Sequence, residues 1–357
     1  MAVFHVATRK GLMTYDGSRL VDTAFLGDPV TSVIVDPRDG AIYAALNLGH
    51  FGVKLRRSED KGKTWAELPA PAFPPDAVPV NKDKTEAPSV IQIWTLEFGN
   101  GALWAGTLPG GLFRSADRGA SWSLVESLWK EPKRKDWQGG GAESPGINTI
   151  CFDPRDNKKM RIGVSTGGLW ASDDGGTSWR LAGNGMRAEY MPPAQALDPA
   201  WQDVHRLAQC PAAPDTIWCQ HHNGIFLSGD MGESFTEITA PSAPSRFGFA
   251  VVVHPRDPNT AWFVPAVKDE CRVPVDRRLV VSRTRDRGKS FDVLADGLPP
   301  PPVFDLIYRH GLDIDSSGDR LVMGSTTGNL WSSDNGGAKW ACLSQTLPPI
   351  NQVRWAP

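Results

Sequence analysis

Short apolar runs bounded by turn-forming residues recur along the whole chain. The runs VTSVIVDP (30–37), INTICFDP (147–154) and FAVVVHP (249–255) are rich in β-branched or aromatic residues and end in a proline turn. Runs such as ALWAG (102–106) and GGLWAS (167–172) are equally short. Apolar runs of this length, separated by Gly and Pro, predict many short strands and no long helix.

One octet recurs at a nearly constant spacing. Its copies are SEDKGKTW (58–65), SADRGASW (115–122), SDDGGTSW (172–179), SGDMGESF (228–235), TRDRGKSF (284–291) and SDNGGAKW (333–340). Gly at the fifth position permits positive φ, and Asp at the third accepts hydrogen bonds from nearby backbone N–H groups. The closing aromatic residue enters the next strand. Each octet is therefore interpreted as a structural hairpin turn rather than a catalytic motif.

The repeat predicts units of four antiparallel strands, A to D, with the octet joining C to D. The segment 3–25 matches strands B, C and D, and INQVRWAP (350–357) matches strand A. The seventh unit is thus split between residues 1–27 and 348–357. Pairing the last strand with the first three closes a ring and removes an exposed sheet edge. The prediction is all-β: one seven-bladed β-propeller of four-stranded antiparallel blades over residues 1–357.

The octet resembles the Asp-box, or BNR, repeat of sialidases, sortilin-type receptors, several glycoside hydrolases and photosystem II assembly factors. The resemblance implies a propeller but no single activity, because this repeat lies on scaffolds of many functions. A sialidase proper is not expected. The N-terminal R-I-P motif is absent, and neither the Tyr–Glu nucleophile pair nor the arginine triad can be assigned among the four tyrosines.

Charge and composition limit the classes of partner that the protein is expected to bind. The formal charge is -2 and the pI about 6.4, so no basic field predicts a nucleic-acid or anionic-membrane partner. No apolar run approaches the roughly 20 residues that span a bilayer. The first residues show no secretion signal, and the five cysteines are scattered without C-x-x-C pairs. A cytoplasmic location with reduced thiols is expected.

In propellers the D-to-A and B-to-C connections lie on one face, opposite the octets, and ligands usually enter the channel there. Alignment of the strand A segments places one set of second-position residues at this mouth. The set mixes aromatic, amide and imidazole side chains, which is typical of a pocket lining. Its members are Thr31, Trp94, Asn148, His205, Phe249, His310 and Asn351.

The imidazoles suggest two chemistries, proton transfer and metal binding. His205, His222 and His310 are the candidate catalytic residues, with Tyr308 as a further proton donor. His205, His221, His222 and His310 are the candidate ligands of a possible divalent metal. Plain polar lining is the alternative, since no close spacing such as H-x-x-x-H occurs.

The candidate substrate-binding residues include two arginines, Arg206 and Arg309, which suit an acidic ligand because guanidinium pairs bidentately with carboxylate. Trp94 and Trp201 are candidates for stacking on a sugar. Asn148 and Asn351 supply amide contacts. Ion pairs between blades and packing within loops are the alternatives for the Arg and Trp residues.

Carboxylates for glycoside cleavage are plentiful near this face, and such chemistry needs two of them about 5–9 Å apart. The insertion 268–278 is a further candidate lid element. The candidate carboxylates are Glu143, Glu189, Asp203, Asp269, Glu270 and Asp305.

The sequence thus predicts a hydrolase or lyase acting on a polar, possibly acidic carbohydrate or small organic ligand. The alternative is a non-catalytic propeller that binds a ligand or protein, as in assembly factors. The sequence leaves the oligomeric state open.

Overall fold

The computed structural model describes residues 2–77, 87–139 and 144–357. Across these ranges the strands form seven sheets of four antiparallel strands each. The strands of the first half are β1 (Val3–Thr8), β2 (Gly11–Asp16), β3 (Arg19–Ala24), β4 (Val30–Val35), β5 (Ile42–Asn47), β6 (Val53–Ser58), β7 (Ala66–Leu68), β8 (Gln92–Gly99), β9 (Ala102–Leu108), β10 (Leu112–Ser115), β11 (Ser123–Leu124), β12 (Gly146–Phe152), β13 (Met160–Ser165), β14 (Gly168–Ser172) and β15 (Arg180–Ala182).

The second half continues the same pattern. Its strands are β16 (Val204–Cys210), β17 (Ala213–His221), β18 (Gly224–Ser228), β19 (Thr236–Ile238), β20 (Gly248–Val253), β21 (Ala261–Pro265), β22 (Val281–Thr284), β23 (Asp292–Leu294), β24 (Leu312–Ile314), β25 (Leu321–Gly324), β26 (Leu330–Ser333), β27 (Ala341–Ser344) and β28 (Ile350–Trp355).

Helical segments are few and short. Within the described ranges no helix is long and apolar enough to cross a membrane. The helical segments are α1 (Glu126–Trp129) and the 3-10 turns Gly49–Phe51, Pro132–Asp136, Pro199–Trp201 and Val275–Arg277.

The sheets are the seven predicted blades. Blades 1 to 6 each use four consecutive strands, from β4–β7 to β24–β27, and blade 7 has the order β28-β1-β2-β3. In blade 7, Phe4 lies opposite Trp355 and Val6 opposite Val353. The predicted closure by the C-terminal strand is therefore confirmed. The extent of the domain, residues 1–357, stays a prediction.

The octets form the same hydrogen-bonded turn in blade after blade. In the second copy, Ser115 Oγ donates to Asp117 Oδ1 at 2.8 Å and accepts from Gly119 N at 2.7 Å. Asp117 also accepts from Ser121 N at 2.9 Å, and Gly119 has φ of 88°. The Ser121 hydroxyl and backbone bonds lower the pKa of Asp117 to about 2. The Asp117 carboxylate therefore stabilises the turn in which it lies, as the sequence predicts.

Large indoles fill the space between blades. Trp104, Trp170, Trp218, Trp262 and Trp331 are almost completely buried on the inner strands. Replacing one of them with Ala costs roughly 3–5 kcal/mol in a packed core. These indoles pack between the blades. The central channel is lined by the first strand of each blade.

The first strands contact one another around the ring, β28 with β4, β4 with β8, and so on back to β28. They therefore line the central channel. We name the channel end at the beginning of these strands the upper mouth, where Trp94, His205 and Arg309 lie. The end on the octet side is the lower mouth, where Glu97 and Arg354 lie.

Candidate functional site

A cavity of about 210 Å³ lies at the upper mouth. Six of the seven aligned second-position residues line it, and the seventh, Asn148, lies elsewhere. In β4, β8, β16 and β20 this position lies at a β-bulge, where the pairing of the first strand with the second shifts register. The lining members of the aligned set are Thr31, Trp94, His205, Phe249, His310 and Asn351.

Blade 4 contributes a cluster of three polar side chains. Asp203 immediately precedes β16 and His222 immediately follows β17, while Val204 pairs with His221 across the two strands. This register brings both ends together, and His222 N donates to Asp203 O at 3.0 Å. Hairpin pairing thus delivers an acid and an imidazole to one point.

The tautomer of His205 follows from its backbone contact. Nδ1 donates to Gly248 O at 2.7 Å, so the lone pair of the neutral ring lies on Nε2. Nε2 is 3.4 Å from Asp203 Oδ2, and the ring stacks on Phe249 with centroids 4.5 Å apart. Burial, reinforced by the Arg309 charge, lowers the pKa of His205. The imidazole is therefore neutral at neutral pH.

Asp203 joins the cluster through a single carboxylate oxygen. Oδ2 lies 3.4 Å from His222 Nδ1 as well as from His205 Nε2. Oδ1 accepts from Thr166 N at 3.2 Å and from Ser165 Oγ at 3.3 Å. Burial by itself raises the pKa of Asp203, but His205, His222 and Arg309 hold it well below its usual value. The buried carboxyl is thus ionised.

Arg309 presents a buried cation to the same cavity. Its guanidinium lies 5.0 Å from the Trp94 ring centroid and 5.3 Å from that of Phe249, as in cation–π contacts. Nη2 donates to Ser165 Oγ at 3.3 Å, and Nε has no hydrogen-bond partner among the described residues. Burial lowers the pKa of Arg309, yet guanidinium keeps its charge in proteins. Ser165 therefore connects Arg309 to Asp203.

A second guanidinium reaches the cavity from the insertion 268–278. Arg272 Nη2 donates to Asp269 Oδ1 at 2.5 Å, and the cation lies 5.5 Å from the Phe249 ring centroid. The hydroxyl of Tyr308 and the Asp269 charge raise the pKa of Arg272 against the effect of burial. The insertion 268–278 thus contributes two charged side chains, Asp269 and Arg272, to the lining of the cavity.

Tyr308, His310 and Asn351 also line the cavity, as the sequence predicts. His310 Nε2 donates to Asn148 O at 2.8 Å, which leaves the lone pair on Nδ1. Burial holds the pKa of His310 well below its usual value, and the charges of Arg206 and Arg309 add to that effect. Asn351 Nδ2 donates to Val30 O at 2.7 Å.

Arg206 follows His205 directly in the chain but lies at the lower mouth, which corrects its predicted position at the upper mouth. The pairing of β16 with β17 shifts register between Val204 and Arg206, so His205 is the extra residue of a β-bulge and points to a different place from Arg206. Asn148 is also excluded from the cavity. Its Nδ2 donates to Val204 O at 2.8 Å and its Oδ1 accepts from Thr149, so the amide serves the scaffold.

His221 is not available as a metal ligand. Its two ring nitrogens lie 3.1 Å from Asp203 N and 3.0 Å from Asn223 N, and the ring packs on Phe226. Burial lowers its pKa to about 3. Trp201 is the last residue of the 3-10 turn Pro199–Trp201, and its backbone carbonyl accepts a hydrogen bond from the Tyr190 hydroxyl at 2.5 Å. The Trp201 side chain does not line the cavity.

The sequence analysis underrated Asp203 and assigned no binding role to Arg272. Asp203 was one of six candidate carboxylates, of which Glu143 lies outside the described residues. The signal available was its position two residues before His205, next to the start of β16. Among the described residues, Asp203, His205 and His222 form a group whose ligand atoms lie within 4.8 Å of one another.

The lower mouth has a different character. Its cavity of about 610 Å³ contains Glu97, Arg206, Asp313 and Arg354. Arg354 donates to both oxygens of Glu97, at 3.0 and 2.9 Å, and Asp313 Oδ2 accepts from Trp355 N at 2.8 Å. The acids and bases there are engaged mainly with one another.

No family model matches the chain. Over 326 residues, 89% of the chain, it is 24% identical to an oligoxyloglucan-reducing end-specific xyloglucanase from Emericella nidulans. The chain spans about a third of that relative, 34% of its length.

Solved structures share the fold. The GH74 xyloglucanase from Xanthomonas campestris superposes with a TM-score of 0.67 at 19% identity, over 96% of this chain and 52% of that one. YCF48 from Cyanidioschyzon merolae gives 0.57 at 13% identity, over 90% and 87%. The resemblance to Asp-box propeller proteins is therefore confirmed at the level of the fold, and the relatives include both carbohydrate hydrolases and YCF48.

Proposed function

We propose that this protein is an enzyme that cleaves a small acidic carbohydrate, or a related hydroxy acid, at the upper mouth. The observation that carries the proposal is one cavity lined by two guanidinium groups, Arg309 and Arg272, and by the Asp203–His205 pair. The cleavage is a hydrolysis or an elimination. The similarity to a xyloglucanase sequence supports carbohydrate as the substrate class.

Recognition starts with the carboxylate of the ligand. Guanidinium binds carboxylate through two parallel N–H···O bonds, and Arg309 still has an unpartnered Nε in the described structure. The Trp94 and Phe249 rings hold this cation from the protein side, so its donors stay oriented. The cavity of about 210 Å³ falls below the roughly 300–1,000 Å³ of pockets for drug-sized ligands, which favours a single sugar or small acid.

Proton transfer follows from the neutral imidazoles. The Nε2 lone pair of His205 and the Nδ1 lone pair of His310 can each accept a proton. In hydrolysis the base takes a proton from water, the water oxygen bonds to the sugar carbon, and the C–O bond breaks. In elimination the base takes the proton next to the carboxylate, a C=C bond forms, and the same C–O bond breaks. We assign Tyr308, which lines the same cavity, as the donor of a proton to the leaving oxygen.

The test is a substrate panel of uronate-containing oligosaccharides and glycosyl hydroxy acids, with neutral xyloglucan oligosaccharides for comparison. New reducing ends report hydrolysis, and the ultraviolet absorbance of an unsaturated uronate reports elimination. Arg309→Gln should raise KM for an acidic substrate about ten-fold or more, because a charge-assisted bidentate contact is lost. Arg246→Gln is the matched control, since Arg246 is bonded to Glu237 and lies outside the cavity.

Turnover that is unchanged in Arg309→Gln would refute the assigned anion site. Ligand-dependent thermal stabilisation without any turnover would contradict the enzyme and favour the alternative, a non-catalytic binding or assembly propeller. Preference for neutral oligosaccharides would contradict the acidic substrate class.

A further inference from the structure

Three ligand-type atoms converge at the upper end of blade 4. Asp203 Oδ2 lies 3.4 Å from His205 Nε2 and 3.4 Å from His222 Nδ1. With metal–ligand bonds of about 2.0–2.1 Å, a 3.4 Å separation corresponds to an angle of about 110° at the metal, close to tetrahedral. The two ring nitrogens lie within 4.8 Å of each other, and the His222 side chain is 21% exposed.

Each buried ligand is held from behind by a second group. His205 donates its Nδ1–H to Gly248 O, and the second oxygen of Asp203 accepts from Thr166 N and Ser165 Oγ. Metal-binding histidines almost always donate their other ring N–H to a carbonyl or carboxylate, and ligating carboxylates are hydrogen-bonded in turn. The arrangement is therefore that of oriented ligands, and not only of adjacent polar residues.

We infer that Asp203, His205 and His222 bind one divalent transition-metal ion, with an open coordination position toward the upper-mouth cavity. Two imidazoles and one carboxylate suit zinc and its neighbours better than Mg²⁺ or Ca²⁺, which prefer all-oxygen sites. Three protein ligands with an open position are typical of catalytic sites. A metal there supplies Lewis acidity toward a bound ligand oxygen.

This inference rests on the proposed function and deepens it, because Asp203 and His205 line the same cavity, but metal binding needs no turnover. With the ion bound, the Nε2 lone pair of His205 is occupied, so His310 is the general base of the proposed reaction. His310 is not among the proposed ligands of this ion, because it lies outside the group whose ligand atoms are within 4.8 Å of one another. His222 is the most accessible of the three ligands. It is therefore the first residue to test, since its replacement disturbs the core least.

The experiment uses the full chain stripped with a chelator and passed through gel filtration. Zn²⁺ and Co²⁺ are titrated separately by calorimetry, and metal content is measured by mass spectrometry after desalting. One ion per chain is expected, with the visible spectrum of four-coordinate Co²⁺. His222→Gln and Asp203→Asn should weaken binding at least about ten-fold, since replacing even a residue that only hydrogen-bonds a metal ligand costs about 10–100-fold. His50→Gln is the matched control, because His50 is an exposed imidazole in blade 1.

Wild-type protein that binds less than one ion per chain, or His222→Gln protein that binds as tightly as wild type, overturns the inference. Circular dichroism checks that the Asp203→Asn variant is folded before its metal binding is interpreted. If that variant is misfolded, the result for His222→Gln decides. Metal binding without cleavage of any acid would refute only the proposed function. Full cleavage by stripped protein that binds no metal would refute only the metal site.

Discussion

The two ends of the channel contain similar residues in opposite arrangements. At the lower mouth, Arg354 contacts both oxygens of Glu97 directly, at 3.0 and 2.9 Å. At the upper mouth, Ser165 links Arg309 to Asp203 by bonds of 3.3 Å on each side, and no direct ion pair joins the two among the described residues. Direct pairing stabilises a fold, whereas a buried cation without a direct counter-ion retains binding capacity for an anion from solution.

The difference supports the proposal that the upper mouth binds the ligand. Buried polar groups are normally satisfied, so each exception calls for an explanation. At the upper mouth the exception among the described residues is the Arg309 Nε, and it lies in the cavity that Asp203 and His205 also line. At the lower mouth Arg206 Nε is also unpartnered, but Asp313 and Glu97 surround that cation with negative charge.

The largest effect is expected from breaking the lower pair. Glu97→Gln removes one charge and leaves Arg354 beside Arg206 without its bidentate partner. Because both side chains of the pair are about a quarter exposed, we expect a loss of about 2 kcal/mol in the free energy of unfolding. Urea denaturation measures it. The double variant Glu97→Gln/Arg354→Gln should recover part of the loss, and a single variant as stable as wild type would contradict this reading of the lower mouth.

An intermediate effect is expected from the pH response of the upper mouth. The folded-state pKa of His310 is well below 6.5, so the unfolded chain binds more protons. Its contribution is present above pH 6.5 and is lost as the pH falls toward the depressed value. His5, with a pKa lowered to about 4, adds to the loss. Denaturation measured at several pH values should show a shallower acid decline in His310→Gln than in wild type. Identical slopes would show that His310 is not held neutral.

The smallest effect on stability is expected from Arg309→Met. It removes a buried guanidinium that has no direct carboxylate partner and keeps an apolar stem between Trp94 and Phe249. The free energy of unfolding should change by less than about 1 kcal/mol, because replacing a poorly paired buried charge with an apolar side chain is often neutral. The same variant should lose stabilisation by acidic ligands in a thermal-shift assay. A loss as large as that of Glu97→Gln would erase the distinction between the two mouths.

The sequence by itself determined the scaffold. Six octets at nearly constant spacing and a split seventh unit predict the blades and the β28–β1 closure, because turn chemistry and strand periodicity are local properties. The repeat also predicts which positions reach the upper mouth, and Trp94, His205 and His310 lie there. It does not predict side-chain direction one residue further on, so Arg206 was assigned to the wrong mouth.

Only the tertiary structure decided which side chains meet. Asp203 and His222 meet through the β16–β17 register, and Arg309 contacts Ser165 across 144 positions of sequence. These contacts depend on rotamers, on the packing of aromatic rings and on backbone carbonyls such as Gly248 O. None of these features produces a periodic pattern in the sequence. The repeat predicts the blade and the level at which a residue lies, whereas the packing of the blades determines which side chains it contacts.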